Sequence, residues 1–340
     1  MNKNIYCVIL AGGCGSRLWP LSTKENPKQL LSLGSGSTML EDTIFRAEGV
    51  VAKENIWIVT TKDYASQIKS CVGSKVGNIL EEPCSRNTAA AIAFSCFEIS
   101  KINKNAIVLF MPADHFISPK EKFVEFVVHA VDAAQTNNTI NLFGIRPTSA
   151  ATGYGYIEYA LDSKEMPTKV IKFHEKPEAK VAEEYLAKNN MLWNSGIFCA
   201  KTSVFLDELK VHAKNVWQST YNFVSENLDY ELIPNQSIDV AVMEKSQRVS
   251  VLPVDFVWQD VGNLNTFLKI RRMLDGNTTN VVEIGSNNNL VDVKKKKVAL
   301  LNVRNLCVVE TDDYLLIACQ DSIENVKLLP FKFEALEDGF

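Results

Sequence analysis

The chain opens on a short apolar run, Ile5 to Leu10, and runs of the same kind recur at Ile56 to Thr60, Ala106 to Met111 and Ile140 to Ile145. Each is bounded by polar or turn-forming residues, the pattern of a buried strand. Between and after them lie stretches with helical spacing: Ala89 to Ile99, Lys122 to Ala134, Lys180 to Lys188, Ser203 to Glu226 and Asn263 to Leu274. This alternation predicts an α/β fold, a mostly parallel mixed sheet with helices on both faces. Asn87 or Thr88 is the expected N-cap of the first helix. After Asp275-Gly276-Asn277 the texture changes to short β-prone runs separated by polar turns, among them VVEIG, NLVDV, VALLNV, LCVVET and YLLIAC. A boundary is therefore expected near residue 276, with a large domain over 1–276 and a small β-rich domain over 277–340 whose strands end near residue 328.

Composition removes several classes of protein. With 340 residues, 46% hydrophobic and 22% charged, the chain is globular and long enough for a large domain and a smaller one. A net charge of -4 gives no basic face for nucleic acid or an anionic membrane. No window approaches the roughly 18 apolar residues of a membrane span, and MNKNIYCVILAGG lacks a secretory cleavage pattern. The eight cysteines (Cys7, Cys14, Cys71, Cys84, Cys96, Cys199, Cys307, Cys319) include no CxxC pair and read as the reduced thiols of a cytoplasmic protein. The tetralysine at 294–297 reads as a solvated turn.

The first strand runs into LAGGCGSRLWPL, where Ala11, Gly12, Gly13, Gly15 and Ser16 let the backbone close around a ligand. Exposed N–H groups in such a loop suit phosphate oxygens. Arg17 adds a planar cation and Lys28 a point-like one. Two better-known glycine loops fail on a required residue. No Gly-Lys pair exists for a Walker A motif, and a dinucleotide fingerprint starting at Gly13 would need Gly or Ala where Leu18 stands. Met111-Pro112-Ala113-Asp114-His115 ends the most hydrophobic strand on a carboxylate, costly to bury unless a metal ion or another partner is beside it. His115 reads as a structural neighbour rather than a base.

GGCGSRLWPLSTKENPKQLLSL resembles the signature of sugar-1-phosphate nucleotidyltransferases, and Trp19 with Lys28-Gln29 resembles their mannose-1-phosphate guanylyltransferase (GDP-mannose pyrophosphorylase) branch. Further blocks follow in the family's order. Glu81-Glu82-Pro83-Cys84-Ser85-Arg86-Asn87-Thr88-Ala89 resembles its EPxxRNTAPA segment, with Ala90-Ala91 in place of Ala-Pro. Met111 to His115 resembles its P[SA]DH block, and GYGYI, FHEKP, WNSGIF and WQDVG have counterparts, His174 standing for a common valine.

The resemblance implies a Rossmann-like (GT-A type) catalytic domain over 1–276, a β-helix-like domain over 277–340, and Mg2+ held by Asp114 and Asp260. Only the resemblance joins these two aspartates. It places the nucleoside triphosphate on Ala11, Gly12, Gly13, Gly15, Ser16, Glu81, Pro83, Arg86, Asn87 and Thr88, and the sugar on Gly155, Glu175, Lys176 and Asn194. Arg17, Lys28, Asp114, Lys176 and Asp260 form the catalytic set. The implied reaction joins GTP and mannose 1-phosphate into GDP-mannose and pyrophosphate, in a cytoplasmic enzyme that can dimerise. The family's longer members continue into a phosphomannose isomerase domain, so a chain ending at Phe340 is expected to lack that activity. The alternatives are another hexose or heptose 1-phosphate, another nucleotide, a metal-dependent glycosyltransferase or a nucleotide-sugar sensor. A glycosyltransferase needs a DxD motif, where residues 114–116 read Asp-His-Phe, and a sensor has no use for a full reaction set.

Overall fold

The computed structural model describes residues 3–161, 166–275 and 280–337, with the side chains of residues 336 and 337 left aside. The chain forms two compact units. The first comprises Met1–Gly12, Thr43–Ala113 and Ile117–Trp258, and the second Gly13–Asp42, Asp114–Phe116 and Gln259–Phe340. The change of texture near residue 276 lies outside the described residues.

The first unit is built on nine strands: β1 (Ile5–Leu10), β2 (Ile56–Thr61), β3 (Asn78–Glu82), β4 (Ile107–Pro112), β5 (Ile140–Ile145), β6 (Tyr156–Tyr159), β7 (Thr168–His174), β8 (Met191–Lys201) and β9 (Val249–Val254). They lie in the order β3-β2-β1-β4-β8-β5-β9-β7-β6. The first four are mutually parallel, as is β5 with β9. The eleven-residue β8 runs antiparallel between β4 and β5, and β7 is antiparallel to β9, so the sheet is mixed. β1, β2 and β4 are apolar almost throughout because both their faces are covered. Tyr6, Val8, Val108 and Phe110 pack in one core with the Asn87–Ile102 helix, while Cys7 and Ile9, pointing the other way, are equally buried.

The single helix read over 203–226 is two, Thr202–His212 and Lys214–Glu226, separated by Ala213 at φ -140 and ψ 53. The expected N-cap also moves. Arg86 occupies that position without a side-chain cap, and Asn87 begins the helix at φ 64. The Thr88 hydroxyl is engaged instead by the Ile238 N–H, 2.9 Å away.

In the second unit Leu18, Trp19, Leu31 and Leu33 share a core with Val261, Phe267, Leu290, Val309 and Ile323. Trp19 packs on Tyr314 and Phe333, with ring centroids 4.9 and 5.7 Å apart. The β-rich segment coils with a 17-residue step: Val281 lies beside Val298 and Leu290 beside Cys307, both in parallel. The left-handed Asn288 and Asn305 sit one coil apart and share a 2.7 Å side-chain hydrogen bond. In the tetralysine, Lys295 pairs with Asp312 at 2.7 Å and Lys296 with Glu310, so this turn is matched by acids one coil on. Leu315–Cys319 returns antiparallel along Leu306–Glu310. The strands were expected to continue to about residue 328, but the last ends at Cys319; Gln320–Leu328 forms a 3-10 helix and Leu329–Glu337 an α-helix. Among the described residues no helix is long and apolar enough to cross a membrane, and all eight cysteines are free thiols.

Candidate active site

The second unit carries a compact charged cluster. Gly15 turns the loop at φ +66, and a Cβ there would stand 2.5 Å from the Lys28 Cβ and 2.7 Å from the Ser22 Oγ. A residue without a side chain is therefore required, in a conformation that glycine adopts at least cost. At Gly13 nothing lies within 4 Å of such a Cβ, so the backbone there is open to an incoming group. The buried Lys28 places its Nζ 2.5 Å from Asp114 Oδ2 and 3.8 Å from Asp260 Oδ1. His115–Ser118 and Val257–Asp260 pair as a two-stranded sheet, and the Val261 N–H donates to the Asp114 carbonyl at 3.3 Å. Strand pairing thus brings together two aspartates that sequence spacing could not join.

Burial alone would raise the Asp114 carboxyl. The adjacent Lys28 ammonium, helped by His115 and by hydrogen bonds, outweighs it and holds the group below the usual carboxylate range. One ligand atom from each of Asp114, His115 and Asp260 lies within 4.8 Å of the others. Two hard carboxylate donors beside open loop backbone fit a divalent cation that also binds phosphate. Arg17 is half exposed and reaches Glu324 at 3.5 Å.

In the first unit the Asn87–Ile102 helix starts directly after β3. Glu81 pairs with the exposed Lys69, whereas Glu82 turns inward, buried, with Oε1 accepting from the Tyr230 O–H at 2.6 Å. Its other oxygen lies 3.6 Å from the Cβ position of Gly12. Burial, only partly offset by the Tyr230 hydrogen bond, pushes the Glu82 carboxyl up to about 7. The Arg86 Nε is buried and has no hydrogen-bond partner among the described residues.

A second grouping in the same unit joins Gly155, Glu175, Lys176 and Asn194. The Asn194 N–H donates to the Gly155 carbonyl at 2.8 Å. A Cβ on Gly155 would meet Glu175 Oε2 at 2.9 Å, and Lys176 Nζ lies 2.9 Å from Glu175 Oε1. Lys176 holds an uncommon positive φ of 37. The Glu175 N–H donates to Glu244 at 3.2 Å, and the Asn194 Nδ2 donates to Asp239 Oδ1 at 2.9 Å. His174 has its Nδ1 3.1 Å from the Tyr185 hydroxyl, and burial, together with Lys172, lowers its basicity.

Sequence reasoning missed Glu82, Tyr230, Asp239 and Glu244. Glu82 had a signal, since the EPxxRN pattern aligns its Glu with position 82 rather than 81. Tyr230 opens a three-residue 3-10 helix, Asp239 opens a five-residue π-helical turn and Glu244 follows it, pieces too short for periodicity to carry information.

Residues 6–276 match the nucleotidyl transferase family, and the chain belongs to it. Among relatives, the mannose-1-phosphate guanylyltransferase 2 of Escherichia coli O157:H7 is 34% identical, over 95% of this chain and 72% of its own. The alginate biosynthesis protein AlgA of Pseudomonas aeruginosa is 36% identical, over 94% of this chain and 70% of its own. Among solved structures, a Thermus thermophilus protein described as mannose-1-phosphate geranyltransferase is 28% identical and superposes with a TM-score of 0.87, covering 97% of this chain and 99% of that one.

Proposed function

We propose that the protein transfers GMP from GTP to mannose 1-phosphate, giving GDP-mannose and pyrophosphate for polysaccharide synthesis. The observation that carries the reading is the Lys28, Asp114 and Asp260 cluster packed against Gly15 of the signature loop, in a chain similar to guanylyltransferases along nearly its whole length. We place the catalytic segment in residues 1–276, supported by a family match that ends there, with 277–340 as its β-rich companion.

The attacking phosphate oxygen of the sugar is already anionic, so the reaction needs neither a general base nor a covalent nucleophile. Catalysis then rests on positioning and charge neutralisation. In this reading the open backbone at Gly13 and the Arg17 guanidinium hold the triphosphate, while Glu82, Arg86, Asn87 and Thr88 line the nucleoside side. Gly155, Glu175 and Asn194 hold the sugar, and Lys176 orients its phosphate. Asp114 and Asp260 would hold Mg2+, which supplies when bound a charge shared between the reacting phosphates. Lys28, which pairs with these two carboxylates in the structure, would meet the departing pyrophosphate. A cytoplasmic location and a homodimer belong to the same reading, the homodimer resting on the resemblance alone.

The test is pyrophosphate release from a matrix of nucleoside triphosphates and sugar 1-phosphates, with and without Mg2+. GTP with mannose 1-phosphate and Mg2+ should give the highest kcat/KM. A clear preference for another pair would replace the substrate assignment, and metal-independent turnover would remove the role given to Asp114 and Asp260.

A further inference from the structure

The segment between Ser237 and Glu244 lies outside the sequence blocks quoted above, yet it touches both groupings of the first unit. At its start the Ile238 N–H donates to the Thr88 hydroxyl at 2.9 Å, and the Ala89 N–H donates to the Gln236 carbonyl at 3.2 Å. At its end Glu244 accepts from the Glu175 N–H. Between them Asp239–Met243 forms a π-helical turn, closed by the Glu244 N–H on the Asp239 carbonyl at 3.0 Å. Such turns are rare, cost backbone regularity and concentrate at functional sites.

Here the turn aims Asp239 at Asn194. The Asn194 carboxamide is fixed at both ends: its Nδ2 donates to Asp239 Oδ1 at 2.9 Å, and its Oδ1 accepts from the Gly196 N–H at 3.1 Å. That leaves one amide hydrogen of Asn194 for a ligand. Asp239 is an expensive residue for the purpose. Burial and the nearby Glu175 charge push its carboxyl up to about 7, against its backbone hydrogen bond, Lys176 and Asn194. A carboxyl kept under that penalty is unexplained by packing, since a hydrophobic side chain would fill the space without it.

We propose that Asp239 is a positioning residue of the sugar-phosphate subsite, holding the Asn194 amide so that its remaining N–H donates to a sugar hydroxyl. The inference rests on the sugar-binding reading of Gly155, Glu175 and Asn194. Asp239 does not touch the reacting phosphates, so its loss should act on sugar affinity and leave nucleotide affinity alone.

The experiment is steady-state kinetics with mannose 1-phosphate and GTP varied independently, on the wild-type protein, Asp239→Ala, Asp239→Asn, Asn194→Ala and the Asp239→Ala/Asn194→Ala double variant. Wild-type release of pyrophosphate from GTP and mannose 1-phosphate is the precondition. Its absence would sink the function assigned above and is read before any variant. Given that activity, Asp239→Ala should raise the KM for mannose 1-phosphate about tenfold, with the KM for GTP within twofold. Asp239→Asn keeps an acceptor oxygen for Asn194 and should stay within threefold of wild type on both. The double variant should be no worse than Asn194→Ala, because one residue acts through the other. Equal rises in both KM values, an unchanged sugar KM, or additive losses in the double variant would each overturn the proposal. Urea midpoints check folding. If Asp239→Ala is unstable, Asp239→Leu, which fills the space without an acceptor, takes its place with the same expectations.

Discussion

Replacing Glu82 with glutamine isolates the cost of the buried carboxyl beside Gly12. Its ordinary value is 4.5 and its folded value about 7. Between those pH values the folded protein keeps a proton that the unfolded chain has released, so stability falls as the pH rises through the window. Each unit is worth about 1.4 kcal/mol, giving roughly 3 kcal/mol over the whole span. At pH 5.5 about 1.4 kcal/mol of this has been lost and at pH 8.5 essentially all of it, which leaves about 2 kcal/mol between the two conditions. Glutamine is neutral at both and still offers an oxygen to the Tyr230 hydroxyl. The stability of Glu82→Gln relative to wild type should therefore improve by about 2 kcal/mol between pH 5.5 and 8.5. Urea unfolding followed by the fluorescence of the five tryptophans measures it. Asp239 shifts in the same direction but is present in both proteins, so its contribution cancels in the difference. A relative stability that does not change with pH would refute the argument.

Three further outcomes are expected. Asp114→Asn should still fold, with a lowered urea midpoint because the buried Lys28 loses its nearer carboxylate, while losing turnover at ordinary Mg2+ concentrations; an unchanged Mg2+ titration would dismiss the metal assignment. Arg17→Ala should lower turnover at saturating GTP on the order of 10²-fold, the usual cost of one preorganised electrostatic contact. Its exposed pairing with Glu324 predicts almost no change in stability, and near-normal turnover would contradict the role. Gly13→Ala and Gly15→Ala should part company. The first, with open space around it, should fold normally and bind GTP poorly. The second, strained and overlapping Lys28, should lose roughly 2 kcal/mol or more of stability.

Much of the framework was legible because burial writes itself into composition. β1 and β5 have the bounds that their apolar runs suggest, since strands covered on both faces need hydrophobic residues throughout. The break at Ala213 was not legible, because apolar spacing continues across it on both sides. The strand β7 escaped notice, since its alternation is interrupted by charged residues such as Lys169 and Lys172. In the site, glycines and cations of the first loop announced themselves through residue type. Asp114 and Asp260 could be related only by likeness to a family, because their adjacency arises from strand pairing. Asp239 and Tyr230 had neither kind of signal.

The second unit is stitched from three separate stretches, and Trp19 packs its ring on Tyr314 and Phe333. During synthesis the signature loop must therefore leave the ribosome and wait for roughly three hundred residues before its own packing can form. The parallel strands of the other unit can close sooner. A ribosome-stalled nascent chain ending before residue 306 should thus protect β1, β2 and β4 from protease while Trp19 remains accessible.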